Sequence, residues 1–138
     1  MRTFYLAVLL SCISPAAHSQ ADCLREFTEF IAQFETSPEF QRRNTRFPLS
    51  TVRTDRAAQP EPKTVFHTIN SPADPRYADV VFPAPAKQAA IPLKQRIKKG
   101  SGARFVLFTR PGTGGTLTYT FEMSAGCWQL IKFEDVFR

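Results

Sequence analysis

Apolar positions recur along this chain with two different periods. Leu24, Phe27, Phe30, Ile31 and Phe34 follow one another at three- and four-residue spacing. That spacing lines one face of a helix at 3.6 residues per turn, with Arg25, Glu26, Glu29 and Gln33 mostly on the other faces. Asp22 is placed to cap its start, and acids early in the helix suit the positive end of its dipole. Thr116 to Met123 alternates instead. Leu117, Tyr119, Phe121 and Met123 face one way and Thr116, Thr118, Thr120 and Glu122 the other, the period of a half-buried strand.

Between these segments the turn-forming residues divide the chain. Ser37 and Pro38 open a second, shorter helix, since proline at the first helical position gives up an N–H that has no partner anyway. This helix carries Phe40 and ends before Phe47-Pro48-Leu49, because a residue before proline disfavours helix. Ser50 to Arg56 and Lys63 to Ile69 read as strands around a proline-containing turn at 57–62. Residues 71–85 form a proline-rich connector, with a short edge strand expected over Tyr77 to Phe82. In 86–99, Pro92 argues against a continuous helix, and the cations indicate an exposed basic strand or loop. Arg104 to Arg110, Thr116 to Met123 and Cys127 to Phe133 read as three strands joined by turns at 111–115 and 124–126, with a tail over 134–138.

Helices first and antiparallel strands after indicate an α+β domain, with N-terminal helices packed on a curved antiparallel sheet that ends in a three-stranded meander. The 13 phenylalanines would supply much of its core.

The start of the chain changes the expected setting. Met1 and Arg2 precede an apolar run from Thr3 to Ile13. Pro15 breaks it, and Ala17-His18-Ser19 places small residues before Gln20. This is the layout of a secretory signal peptide over residues 1–19, too short for a transmembrane helix. It leaves one domain over 20–138, exported, with the periplasm as the expected address. Cleavage would discard Cys12 and leave Cys23 and Cys127, and two cysteines in an oxidising compartment indicate one disulfide. A second reading of the start is that Leu9-Leu10-Ser11-Cys12 resembles a bacterial lipobox, which would make Cys12 a lipid anchor for the same domain in the envelope.

The formal net charge is +6, and it is unevenly placed. Residues 22–39 hold five acids against one base, whereas residues 41–110 hold fourteen bases against four acids. Lys94, Arg96, Lys98 and Lys99 concentrate the positive charge and are the candidate contact surface for an anionic partner. Nucleic acid is not the expected partner, because no nucleic-acid signature accompanies the charge.

Phe27-Thr28-Glu29-Phe30, Phe34, Phe40-Gln41 and Arg46-Phe47-Pro48-Leu49, with Tyr119-Thr120-Phe121 and Trp128-Gln129-Leu130-Ile131 near the end, resemble an uncharacterised family of small exported bacterial proteins. The resemblance covers residues 24–56 and 104–135. It implies a cystatin-like or nuclear-transport-factor-2-like cone, a long helix wrapped by a curved antiparallel sheet. The wider fold hosts isomerases, dehydratases, transport adaptors and immunity proteins, so it does not assign a function.

Signs of catalysis are sparse. His67 is the one histidine after residue 19, no Gly-x-Ser-x-Gly elbow is present, and no His, Cys or Asp cluster has a metal-ligand spacing. Gly112-Thr113-Gly114-Gly115 lacks the lysine of a phosphate loop and reads as a hairpin turn. Tyr77, Asp79 and Tyr119 resemble the carboxylate and tyrosine set of cone-fold isomerases, and Trp128 joins them as a candidate pocket residue. Arg42, Arg43 and Arg46 follow the second helix as a further cationic group. The expectation is a non-enzymatic binding module with no cofactor and no metal, holding a protein partner, with an immunity or inhibitor protein as its specific form. The alternative is a small cone-fold enzyme or a carrier for an apolar or anionic small molecule.

Overall fold

The computed structural model describes residues 23–137. The expected signal peptide, its cleavage site, Cys12 and the Asp22 cap lie outside these residues.

Helix α1 spans Phe27–Thr36 and buries Phe30, Ile31 and Phe34. Its N-cap is Glu26, which makes no side-chain cap bond. Helix α2, Pro38–Arg43, is capped at Ser37, where the Phe40 N–H donates to Ser37 Oγ at 3.1 Å. Pro38 occupies the first turn and Arg42 and Arg43 the last, the arrangement the helix dipole favours.

Six strands form one sheet. They are β1 (Thr45–Asp55), β2 (Lys63–Ile69), β3 (Lys94–Lys99), β4 (Ala103–Thr109), β5 (Gly115–Ser124) and β6 (Cys127–Phe137), in the spatial order β2-β1-β6-β5-β4-β3. β3 to β6 form an antiparallel meander of four strands, one more than the sequence indicates. The sheet is mixed, not wholly antiparallel, because the last strand lies beside the first and runs parallel to it. The Leu130 N–H donates to the Asn44 carbonyl at 2.8 Å where this pairing begins. β1 also starts earlier than expected and contains Pro48. Its register against β6 shifts between Thr45 and Ser50, and an interrupted ladder is where a residue without an N–H fits in a strand.

The connector departs from expectation as well. Pro75–Asp79 is a 3-10 helix, not part of an edge strand, and is capped by Asp74, whose side chain accepts from the Arg76 N–H. Pro85–Ala90 forms a short helix, α3, with proline in its first turn, and it ends before Pro92.

Aromatic rings fill the space between helices and sheet. Phe34 meets Phe82 and Phe121 edge-on at centroid distances of 5.5 and 5.1 Å. Tyr119 lies 4.7 Å from Phe82 and 5.0 Å from Phe133. Each such ring buries enough area to contribute roughly 1.5–3 kcal/mol, and edge-on pairing adds up to about 1.5 kcal/mol. A disulfide joins Cys23 to Cys127 across a sequence separation of 104, with Cα atoms 5.2 Å apart. Beside it, Trp128 Nε1 donates to the Arg25 carbonyl at 2.8 Å. The two bonds tie the approach to α1 onto the start of β6.

Candidate functional site

Strand β3 is an edge of the sheet, hydrogen-bonded to β4 on one side only. All six of its residues are exposed. In a strand, successive side chains take opposite faces, and the register assigns each cation to one of them. Lys94, Arg96 and Lys98 sit opposite Thr109, Leu107 and Phe105, on the face turned away from the helices. Lys99 sits opposite Arg104, on the same face as Val106 and Phe108. The four cations therefore divide three to one. Among the described residues no ion pair uses Lys94, Arg96 or Lys98. Gln95, on the helix-side face, donates from Nε2 to Glu35 Oε1 of α1 at 2.9 Å.

Each of the four candidate pocket residues makes its own contacts among the described residues. The Tyr77 hydroxyl lies 3.2 Å from Thr45 Oγ1, and its ring packs edge-on against Phe47. Burial pushes the Tyr77 phenol above its ordinary value, with the Thr45 hydrogen bond and the Arg42 charge acting in the opposite sense. Asp79 is at the surface, paired with Arg53 at 3.2 Å. Tyr119 is 1 % exposed, and its hydroxyl donates to the Val81 carbonyl at 3.4 Å. Burial raises its phenol strongly, the Asp135 charge adds to this, and Arg53 offsets part of it. Trp128 packs edge-on against Phe27 at 5.0 Å, with the Arg104 guanidinium 5.3 Å from its ring centre. Tyr77, Tyr119 and Trp128 share one hydrophobic core with Phe82, Phe108, Phe121 and Phe133.

His67 is exposed on β2. Arg46 pairs with Glu122 at 3.5 Å. Gly112 and Gly114 adopt positive φ in the turn between β4 and β5, the backbone geometry glycine accepts without strain. Among the described residues no group of three or more His, Cys, Asp or Glu is arranged to hold a metal, and no helix is long and apolar enough to cross a membrane.

A cleft of about 220 Å³ opens at the β4–β5 turn. Leu93, Phe108 and Leu117 give it an apolar lining, Arg56, Arg110 and Thr113 line it from the surrounding turns, and Asp135 lines it from β6. The sequence reading missed this site because it ends the last strand at Phe133 and treats Asp135 as tail. The register Leu117 to Asp135 instead places that carboxylate on the same face as the core.

A short helical layer against a curved six-stranded mixed sheet is the α+β arrangement of a nuclear-transport-factor-2-like fold. The chain is similar to the crystal structure of an NTF2-like protein from Bacteroides fragilis, with a TM-score of 0.58 and 23% identity over 82% of this chain. The match spans 47% of that protein, so this chain corresponds to about half of it. No protein-family model and no curated protein matches the chain.

Proposed function

We propose that the protein is an exported, non-catalytic binding module of the bacterial envelope that holds an acidic protein partner on strand β3. An immunity or inhibitor protein, guarding the envelope against a toxic effector, is the specific form of this reading. The observation that carries it is the row Lys94, Arg96 and Lys98, three exposed cations that among the described residues have no ion-pair partner and lie on one face of a strand with no neighbour at its outer edge. Such an edge offers backbone donors and acceptors to an added strand, and the cations select a partner of opposite charge. Lysines on an edge also discourage association between copies of the same chain, which suits a protein whose edge is kept for a different partner. The Cys23–Cys127 bond supports an oxidising compartment, with the periplasm as the address and a lipid anchor at Cys12 as the alternative.

The test is affinity capture from an extract of the host envelope, with the wild type beside the variant Lys94→Glu/Arg96→Glu/Lys98→Glu. A specific partner held by the wild type is lost by the variant. It also dissociates as salt shortens the Debye length from ~8 Å at physiological strength to ~3 Å at 1 M. Equal retention by the variant would remove β3 as the contact surface.

A further inference from the structure

The cleft at the β4–β5 turn combines three kinds of group. An apolar lining comes from Leu93, Phe108 and Leu117, a cationic side from Arg110, and an acidic wall from Asp135. Asp135 Oδ1 is buried without a hydrogen-bond partner. Folded proteins give almost every buried polar atom a partner, and an exception calls for a reason. Asp135 as a whole is half-buried and lines the open cleft, so its other carboxylate oxygen is the one a bound donor would meet.

The charges limit what fits. A simple carboxylate would meet Arg110 favourably, but it would also face the charge of Asp135. A simple amine would meet Asp135 but crowd against Arg110. A molecule carrying both charges at one end and an apolar group at the other satisfies all three surfaces. The volume of about 220 Å³ lies below the ~300–1,000 Å³ of sites for drug-sized ligands and suits a small occupant such as a single amino acid.

We propose that this cleft binds a free α-amino acid with an apolar side chain, of the leucine or phenylalanine type. The ammonium group donates to the Asp135 carboxylate, the ligand carboxylate meets Arg110, and the side chain lies on Leu93, Phe108 and Leu117. The site is separate from the cationic row of β3, so it stands or falls independently of the partner-binding reading.

Isothermal titration of the disulfide-bonded chain with L-leucine and L-phenylalanine tests it. The two control ligands are 4-methylpentanoate, which lacks the ammonium, and 3-methylbutylamine, which lacks the carboxylate. Saturable binding of at least one amino acid is expected, weakened about tenfold or more for both controls and for the variants Asp135→Asn and Arg110→Gln. Arg110 is exposed, so its variant tests the site even if Asp135→Asn disturbs folding. Three results would each overturn the proposal: no saturable binding of either amino acid up to about 10 mM, equal affinity for 4-methylpentanoate, or an unchanged affinity in Arg110→Gln.

Discussion

Gln41 is the polar residue on which the corner between the helices and the connector depends. It is 3 % exposed. Its Nε2 donates to the Phe34 carbonyl at 2.7 Å and, at longer range, to the Phe82 carbonyl at 3.4 Å. Its Oε1 accepts from the Phe82 N–H at 3.1 Å. One amide thus joins the end of α1 to the connector that delivers Phe82 into the core. Replacing it with methionine keeps the length of the side chain and removes both functions. Each buried partner left unsatisfied costs about 1–3 kcal/mol. The two short bonds set a loss of about 2–6 kcal/mol, offset by about 1 kcal/mol from the more apolar side chain, so Gln41→Met should destabilise by about 3 kcal/mol. With 115 described residues and an unfolding entropy of about 2.1 cal/mol/K per residue, the melting temperature should fall by about 12 °C.

Calorimetric melting at pH 7 with the disulfide intact measures this. Gln33→Met, an exposed change one turn from the end of α1, is the control and should stay within about 2 °C of the wild type. Gln41→Glu adds a test by pH. Burial favours the protonated acid, which donates where the amide N–H did, so the folded-state pKa lies above the ~4.3 of the unfolded chain. The variant's deficit is therefore present above the folded pKa and shrinks as pH falls through it. If Gln41→Met melted within about 3 °C of the wild type, the bridge would not hold the connector and the argument would fail.

Replacing Cys23 and Cys127 together by serine opens a loop of sequence separation 104. The chain-entropy model gives a loss of up to about 4.7 kcal/mol, which lowers the melting temperature by up to about 20 °C; a shift under about 2 °C in calorimetry would show that the bond adds nothing. Tyr77 and Tyr119 both hold their protons above the ordinary value of 10.0. In the unfolded chain these phenols ionise near pH 10, so their burial leaves stability unchanged below that pH and reduces it above. In a chain starting at Gln20, phenolate absorbance should thus appear together with unfolding, and ionisation near pH 10 with the fold intact would contradict the burial of both rings.

The elements legible in the sequence are those whose signal is local. The Phe27, Phe30 and Phe34 spacing, the Ser37-Pro38 start and the alternation of Thr116 to Met123 each depend on neighbours within a few residues, and each forms the expected element. What was missed depends on partners far along the chain. Pro48 reads as a breaker unless the irregular pairing of β1 with β6 is known. The parallel pairing itself joins segments some eighty residues apart and leaves no periodic mark. The Pro75–Asp79 helix replaces a strand because Asp74 and proline supply its first turn, and prolines suit that position better than a ladder. Asp135 was passed over because Glu134-Asp135 in sequence looks like a solvated end, whereas the ladder with β5 carries it to the cleft.

The same packing also decides where function is to be sought. In a cone fold, a ligand site inside the cone needs space between helix and sheet, and here that space holds the Phe30, Phe34, Phe82, Phe108 and Phe121 rings. The Tyr119 hydroxyl donates to the Val81 carbonyl and the Trp128 indole N–H to the Arg25 carbonyl, so both donors are already engaged within the fold. The two recognition sites proposed above both lie at the limits of this packed interior. One is the edge strand β3, where the cations are exposed and one side of the backbone has no neighbouring strand. The other is the turn end of β4 and β5, where the aromatic packing stops at Phe108 and the carboxylate of Asp135 borders the cleft. Emptying the interior by Phe82→Ala would create a cavity at a cost of about 3–5 kcal/mol. The filled core is therefore part of what keeps the fold stable, and the two peripheral sites are compatible with it.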